Sequence, residues 1–272
     1  PLGDLLLTFP NLEQAGVTGY LRELSLMDGV ARTAFTVEDV VYERTTFVSH
    51  PQQMTCLRMT ASQPVLTAEL ALDSQLRHQI KASGCEIVMS TRCPSRSLPS
   101  YHDTSPEAIS YDDAPERQGI SATTILRVAT DGRMQAAGKT ITVSAATWLE
   151  LRLVCRSNFE AFDKYPGLSG VDHVALARKD LDAAETLTFA DMLAAHRQDF
   201  IALMARQSIT VGGECHDDLP TDVRLRRYSD GAEDDFLPIL LYQFGRYLLV
   251  SGSRPGTQAL NLQGIWNDMM QP

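Results

Sequence analysis

VARTAFTVEDVVYERTTFVSH, residues 30–50, decides how the first half of the chain folds. It is rich in Val, Thr, Phe and Tyr on both sides of an acidic pair, and reads as a β-hairpin turning at Glu38-Asp39. The same logic runs outward along the chain. VLTAELALD (65–73) places Leu66, Ala68, Leu70 and Leu72 on one face and Thr67 and Glu69 on the other. WLELRLV (148–154) sets Leu149, Leu151 and Leu153 against Glu150 and Arg152. A period of two is that of half-buried strands with one wet face. Further strands are expected near 53–61, 85–91, 121–130 and 139–145, with Asp131-Gly132 a tight-turn signal between the last two. Residues 20–155 therefore read mainly as strands. Many short strands with turn signals and almost no helix imply an antiparallel sandwich.

One segment interrupts the pattern. Residues 92–119, RCPSRSLPSYHDTSPEAISYDDAPERQG, hold four prolines, many serines and no periodicity. A loop of that length in a compact domain is functional or disordered. Two readings stand: a solvated surface loop, or one that leans onto a catalytic domain with Tyr101, His102, Asp103, Tyr111, Asp112 and Asp113.

Strand alternation stops at SNFEAFDKYPGLSG (157–170). A helix is expected from about Asp172, its N-cap, to Ala184. A second begins at Thr188, where Thr188 and Asp191 form a capping box and Leu187 is placed to staple onto Met192. Its apolar stripe is Phe189, Met192, Leu193, His196, Phe200, Leu203 and Met204, with His196 read as a core histidine ahead of a ligand. Residues 209–234 read as loop. GGECHDD (212–218) groups Cys215, His216, Asp217 and Asp218, but adjacent ligands do not converge on one ion without strain, so no metal site is expected. The acidic run SDGAEDD (229–235) reads as a loop complementing the next helix N-terminus.

That next helix opens DFLPILLYQFGRYLLVSGSRPGTQALNLQGIWN (235–267). Leu237, Leu240, Leu241, Phe244, Tyr247 and Leu248 hold helical spacing over a broad apolar face. Asp234 or Asp235 caps the start, Pro238 fits only in the first turn, and Gly252 and Pro255 end it. The polar, Trp-bearing run that follows suits sugar recognition: Trp offers a flat face to the C–H side of a ring, and Asn and Gln offer paired donors and acceptors to its hydroxyls.

The chain has 272 residues, 44% hydrophobic and 21% charged, with net charge −10 and pI about 5.0. This is globular composition, and the acidity argues against nucleic acid or an anionic membrane as partner. No 18-residue apolar run marks a transmembrane helix. Five cysteines, Cys56, Cys85, Cys93, Cys155 and Cys215, are odd in number and lack CxxC spacing. Cys56 and Cys155 read as buried thiols, and a Cys85–Cys93 bridge stays open.

The run FGRYLLVSGSRPGTQALNLQGIWND (244–268) resembles the signature of glycoside hydrolase family 95, the inverting 1,2-α-L-fucosidases. PLGDLLLTF (1–9), GYLRELSLMDGVARTAF (19–35), VVYERTTFVSHPQQ (40–53), GLSGVDHVALA (167–177) and LPTDVRL (219–225) match the same family in order. The resemblance implies a β-supersandwich over 1–156, a helical linker over 157–232, and the start of an (α/α)6 barrel over 233–272. It further implies that the chain is an interior fragment, lacking the first strands and most of the barrel.

Inversion requires a carboxylic acid that protonates the leaving oxygen and a carboxylate that activates water, with room between them for that water. No carboxyl in the sequence combines an apolar setting with a convincing partner. In the family, two water-orienting asparagines follow shortly after GIWN, and the acid and base come later still. The resemblance therefore places every catalytic residue beyond residue 272. Gln263, Trp266 and Asn267 are the candidates for lining the sugar pocket, against the reading that they pack the barrel's first loop. Arg254 reads equally as a helix-end cation. A fucosylated oligosaccharide or glycan is the expected partner, with no metal or organic cofactor and with compartment open among secreted, periplasmic and cell-surface settings. Two alternatives stand, a relative acting on α-L-galactosides and a non-catalytic carbohydrate-binding sandwich. About 40 residues of barrel are too few to cover Leu240, Phe244 and Leu248, so this chain alone is expected to be inactive and to associate through them.

Overall fold

The structure, a computed structural model, describes residues 2–12, 16–102, 105–213, 216–262 and 264–271. Its strands are β1 (Asp4–Thr8), β2 (Thr18–Ser25), β3 (Val30–Val37), β4 (Val40–Ser49), β5 (Met54–Ala61), β6 (Leu66–Asp73), β7 (Arg77–Ser83) and β8 (Glu86–Arg92), then the two-residue β9 (Arg96–Ser97) and β10 (Ile109–Ser110), and finally β11 (Ser121–Thr130), β12 (Arg133–Ala137), β13 (Thr140–Ala146) and β14 (Trp148–Ser157). Among the described residues, the α-helices that follow are α1 (His173–Ala183), α2 (Phe189–Met204), α3 (Thr221–Ser229) and α4 (Leu237–Gly252). The chain divides into two units, Pro1–Glu23 with Ala31–His196 and Asn267–Pro272, and Leu24–Val30 with Arg197–Trp266.

The first unit is built on two antiparallel sheets, one ordered β2-β3-β4-β5-β14-β11-β8-β7 and the other β1-β6-β13-β12. The hairpin at 30–50 forms as its sequence implies: Val37 pairs with Val40, and Glu38 and Asp39 both adopt left-handed backbone, φ 47 and 66. That geometry matches the twist of the flanking strands. Leu66, Ala68, Leu70 and Leu72 face Leu57, Met59, Ile87, Met89, Leu126, Val128, Leu149 and Leu151, and Ile141 and Val143 complete the cluster.

Three readings are corrected here. First, the strands of the larger sheet do not all keep a wet face. Burial on β4 changes face between Tyr42 and Phe47, because Phe47 packs on α2, 5.3 Å from Phe189 and 5.0 Å from His196 between ring centroids. Glu150 is likewise buried, and Arg152 beside it donates to the carbonyls of Ala184 and Leu187 at 2.7 and 2.8 Å, closing the end of α1. Second, Asp131-Gly132 does not join two paired strands. It carries the chain from β11 in one sheet to β12 in the other, where Asp131 accepts from the backbone N–H of Thr147 and Trp148. A side chain at Gly132 would press on the Ser144 carbonyl at 2.5 Å. Third, Cys155 is exposed whereas Cys56 is buried, and Cys85 and Cys93 are free thiols.

α1 is capped by Asp172, whose carboxylate accepts from Ala175 N–H at 2.9 Å. The capping box of α2 forms in both directions: Thr188 N–H donates to Asp191 at 3.0 Å and Asp191 N–H to the Thr188 hydroxyl at 3.1 Å.

In the second unit, Phe200 and Met204 of α2 are buried, with Phe200 5.9 Å from Tyr247. Gly29, at φ +65, leaves room for the Phe200 ring, which would sit 3.2 Å from any added Cβ. Arg246 donates to the Met204 and Gln207 carbonyls at 3.0 Å each, satisfying the end of α2. The loop read over 209–234 is corrected by α3. Its core-facing side chain is an arginine: Arg224 is buried and forks onto buried Asp234 through two 2.8 Å hydrogen bonds. Asp234 also accepts from the N–H groups of Phe236 and Leu237, which start α4. α4 is not buried on a broad face. Of its spaced apolar residues only Leu237 is buried, Phe244 and Leu241 are exposed, and Leu240, Tyr247 and Leu248 are half-buried. The unit supplies too little apolar surface to cover the rest.

Candidate functional site

The segment after α4 is shaped by small local bonds. Thr257 N–H and hydroxyl both donate to the Arg254 carbonyl, and Arg254 N–H donates back to the Thr257 hydroxyl at 3.0 Å. Gly256 takes φ +83 inside this turn. The Arg254 guanidinium pairs with Asp199 and lies 5.9 Å from the Phe200 ring. It ties α2 to the end of α4, as a helix-end cation would.

Gln263 lies outside the described residues. Trp266 belongs to the second unit, where its ring rests against two glycines: an added Cβ would lie 3.0 Å from it at Gly252 and 3.1 Å at Gly264. Trp266 remains 52% exposed, so part of its ring surface is open. Asn267 belongs to the first unit. Its side-chain oxygen accepts from Met269 N–H at 2.8 Å, which bends the tail.

That tail is tied to the sandwich by three further bonds. Gln75 donates to the Asp268 carbonyl at 3.0 Å, Ser97 to the Met270 carbonyl at 2.8 Å, and Gln271 to the Leu98 carbonyl at 2.8 Å. Two of these anchors stand in the 92–119 loop. The loop is ordered by the β9–β10 pairing and by its charges. Asp112 takes Arg117 at 2.6 Å and Ala114 N–H at 2.9 Å, and Asp113 takes Arg92 at 2.6 Å. Tyr101 stands 82% exposed with His102 beside it, ring centroids 4.8 Å apart. Asp103 lies outside the described residues. Sequence reasoning singled out the loop and the tail separately but not the bonds from Gln75, Ser97 and the Leu98 carbonyl that join them, since single polar groups carry no spacing signal.

The carboxyls with resolved shifts all move downward. Arg117 beside Asp112 holds its carboxyl below the usual range, Thr147 does so for Asp131, and Thr188 for Asp191. Burial pushes Glu86 up, but hydrogen bonds from Arg178 and Arg127 outweigh it. Arg224 holds Asp234 down to about 2. An acid that protonates a leaving oxygen needs the opposite shift, so none of these five is poised to donate. Among the described residues no group of three or more His, Cys, Asp or Glu is placed to hold a metal ion, and no helix is long and apolar enough to cross a membrane. Glu214 and Cys215 of the GGECHDD run lie outside the described residues.

Residues 1–162 match the family described as "Glycosyl hydrolase family 65, N-terminal domain", and residues 188–272 match "Glycosyl hydrolase family 95 catalytic domain". A protein of Arabidopsis thaliana named Alpha-L-fucosidase 2 is 33% identical over 285 aligned residues, which cover 100% of this chain and 33% of that protein. Probable alpha-fucosidase A of Aspergillus niger is 24% identical over 98% of this chain and 32% of its own length. Its namesake in Aspergillus oryzae is 21% identical over 98% of this chain and 36% of its own length. The chain thus spans about a third of the length of these curated relatives.

Proposed function

The chain belongs to the glycosyl hydrolases, with a family 65 N-terminal domain over 1–162 and a match to the family 95 catalytic domain over 188–272, and from this premise we propose that the whole protein is an inverting α-L-fucosidase that removes terminal α-1,2-linked L-fucose from glycans. In this reading the strands of 1–156 form the supersandwich, 157–232 the linker, and α4 opens an (α/α)6 barrel over 233–272. The chain taken by itself is inactive.

The supporting observation is the tail that follows the QGIWN motif. Asp268, Met270 and Gln271 are fastened to Gln75, Ser97 and Leu98, so the 92–119 loop lies beside the segment that, in the resemblance, leads into the water-orienting asparagines. Tyr101 of that loop is exposed. Gln263, Trp266 and Asn267 line the pocket: the open face of Trp266 stacks on the sugar, and the amides meet its hydroxyls. The acid and base are supplied outside this chain, on opposite faces of the glycosidic bond and far enough apart to hold water.

The test is hydrolysis of 2'-fucosyllactose by the whole protein and by the 272-residue chain. The reading expects turnover in the first alone. In the whole protein, Trp266→Ala should raise KM about tenfold, the loss of one anchor worth ~1.4 kcal/mol. Turnover by the chain alone would mean that carboxylates within it are catalytic and that this assignment is wrong.

A further inference from the structure

The outer face of the sandwich carries a concavity lined by polar side chains. It is a cavity of about 430 Å³ where the ends of β7, β8 and β11 meet the start of α1. The register explains its chemistry. Arg77 pairs with Arg92 and Arg92 with Ser121, while Gln79 pairs with Ser90 and Ser90 with Thr123. These two rows are two residues apart, so their side chains share one face. The row between them, His78, Thr91 and Ala122, turns toward the interior, where Thr91 and Ala122 are buried. On the outer face the strands thus present guanidinium, amide and hydroxyl groups together. His173, at the start of α1, leans over them with its Nδ1 2.9 Å from the Thr123 hydroxyl.

The charges are unevenly matched. Asp113 neutralises Arg92 at 2.6 Å, and Asp73 stands 3.6 Å from His78. Arg77 has no carboxylate within ion-pair distance among the described residues. Its guanidinium carbon instead lies over the Tyr111 ring, 4.0 Å from the centroid, and the Arg77 backbone N–H donates to the Tyr111 hydroxyl at 3.3 Å. A guanidinium over a ring face still has N–H donors to offer, which suits two-point recognition of a planar or tetrahedral anion. In a chain of net charge −10, a cation with no carboxylate partner among the described residues, set against a ring at the edge of a cavity, is a feature that a neutral ligand does not need.

We propose that this cavity, with Tyr111 of the 92–119 loop at its edge, is a binding site for a saccharide carrying one anionic group, a uronate carboxylate or a sulfate ester. Arg77 takes the anionic group through its N–H edge. Gln79, Ser90 and Ser121 take ring hydroxyls, and His173 closes the side toward α1. The choice of a saccharide over another anion rests on the glycoside hydrolase reading above. The anion preference rests on Arg77 and Tyr111 alone, so the two can fail independently.

The test is titration of the full 272-residue chain with D-glucuronate, glucose 6-sulfate, D-glucose and sodium sulfate, followed by backbone amide shifts. Saturable shifts at 77–79, 90–92 and 121–123 with glucuronate, with glucose 6-sulfate, or with both support the proposal and identify which anion is read. Arg77→Ala should weaken that binding at least about tenfold, as expected for a lost charge-assisted hydrogen bond. Arg77→Lys should fall between the two, because it keeps the charge and loses the fork. The proposal is overturned if D-glucose binds as tightly as the charged sugars, if sulfate alone matches them, if Arg77→Ala binds unchanged, or if no shift appears. Because no hydrolysis is measured, failure of the fucosidase reading would leave this result interpretable as anion binding.

Discussion

Replacing Arg224 with Met tests whether one buried ion pair organises the helical unit. Arg224 and Asp234 side chains are only 6% and 4% exposed. They meet through two parallel hydrogen bonds of 2.8 Å. A third bond from Arg224 reaches Asp217, which is 77% exposed, and such a solvent-screened contact adds little. Met refills most of the volume of the arginine stem, and Asp234 still accepts from the N–H groups of Phe236 and Leu237. Arg224→Met should therefore cost about 3 kcal/mol, the lower end of the range for removing one partner of a buried pair. Urea unfolding at neutral pH, followed by far-UV circular dichroism and by tryptophan fluorescence, measures it. Arg226→Met is the control on the same helix, since its pairing with Asp222 is solvent-exposed on both sides, and its midpoint should not move. Adding Asp234→Asn to Arg224→Met should recover more than half of the loss, because the amide keeps the cap and removes the stranded charge. If Arg224→Met shifts the midpoint no more than Arg226→Met, or if the double variant is worse than the single, the pair does not hold this unit as argued.

Three further outcomes are expected. Arg224 lowers the Asp234 carboxyl from 3.8 to about 2; a depressed folded pKa gives stability that is present above the unfolded value, so urea midpoints should fall as pH drops from about 4 to about 2, and this part of the fall should vanish in Asp234→Asn. Glu38→Asn with Asp39→Gly puts residues that favour left-handed backbone at φ 47 and 66 and should stabilise the sandwich by about 0.5–1 kcal/mol in thermal or urea unfolding. Burial pushes the Cys56 thiol up to about 12, so a thiol reagent at mildly alkaline pH should reach Cys56 only after unfolding.

Much of the sandwich was legible because its signal is local. Alternation marks Leu66, Ala68, Leu70 and Leu72 wherever they pack, and Glu38-Asp39 marks its turn without help from the rest of the chain. The capping residues Asp172, Thr188 and Asp191 act over three residues and were legible for the same reason. α3 was hidden because TDVRLRRYS has no apolar stripe. Its place comes from a buried arginine whose partner lies 10 residues on. β7 and β12 were hidden because RHQIKAS and RMQAA lack the β-branched, alternating pattern of a strand. The Asp131-Gly132 turn was visible as a turn, but whether it reverses within a sheet or crosses to another depends on strand pairing elsewhere. Of the candidate site, the polar, Trp-bearing run was legible from its residue types, and its place ahead of the catalytic segment through family resemblance. The bonds that fix the tail join residues 173 and 193 apart, and no local pattern records them.

The most direct test of the account is the anomer of fucose released from 2'-fucosyllactose by the whole protein, read by proton NMR within the first turnovers, before mutarotation. An inverting α-L-fucosidase must deliver β-fucose first, with the α-anomer growing in only as the free sugar equilibrates. Fucose appearing first as the α-anomer, or not appearing at all, would contradict the account.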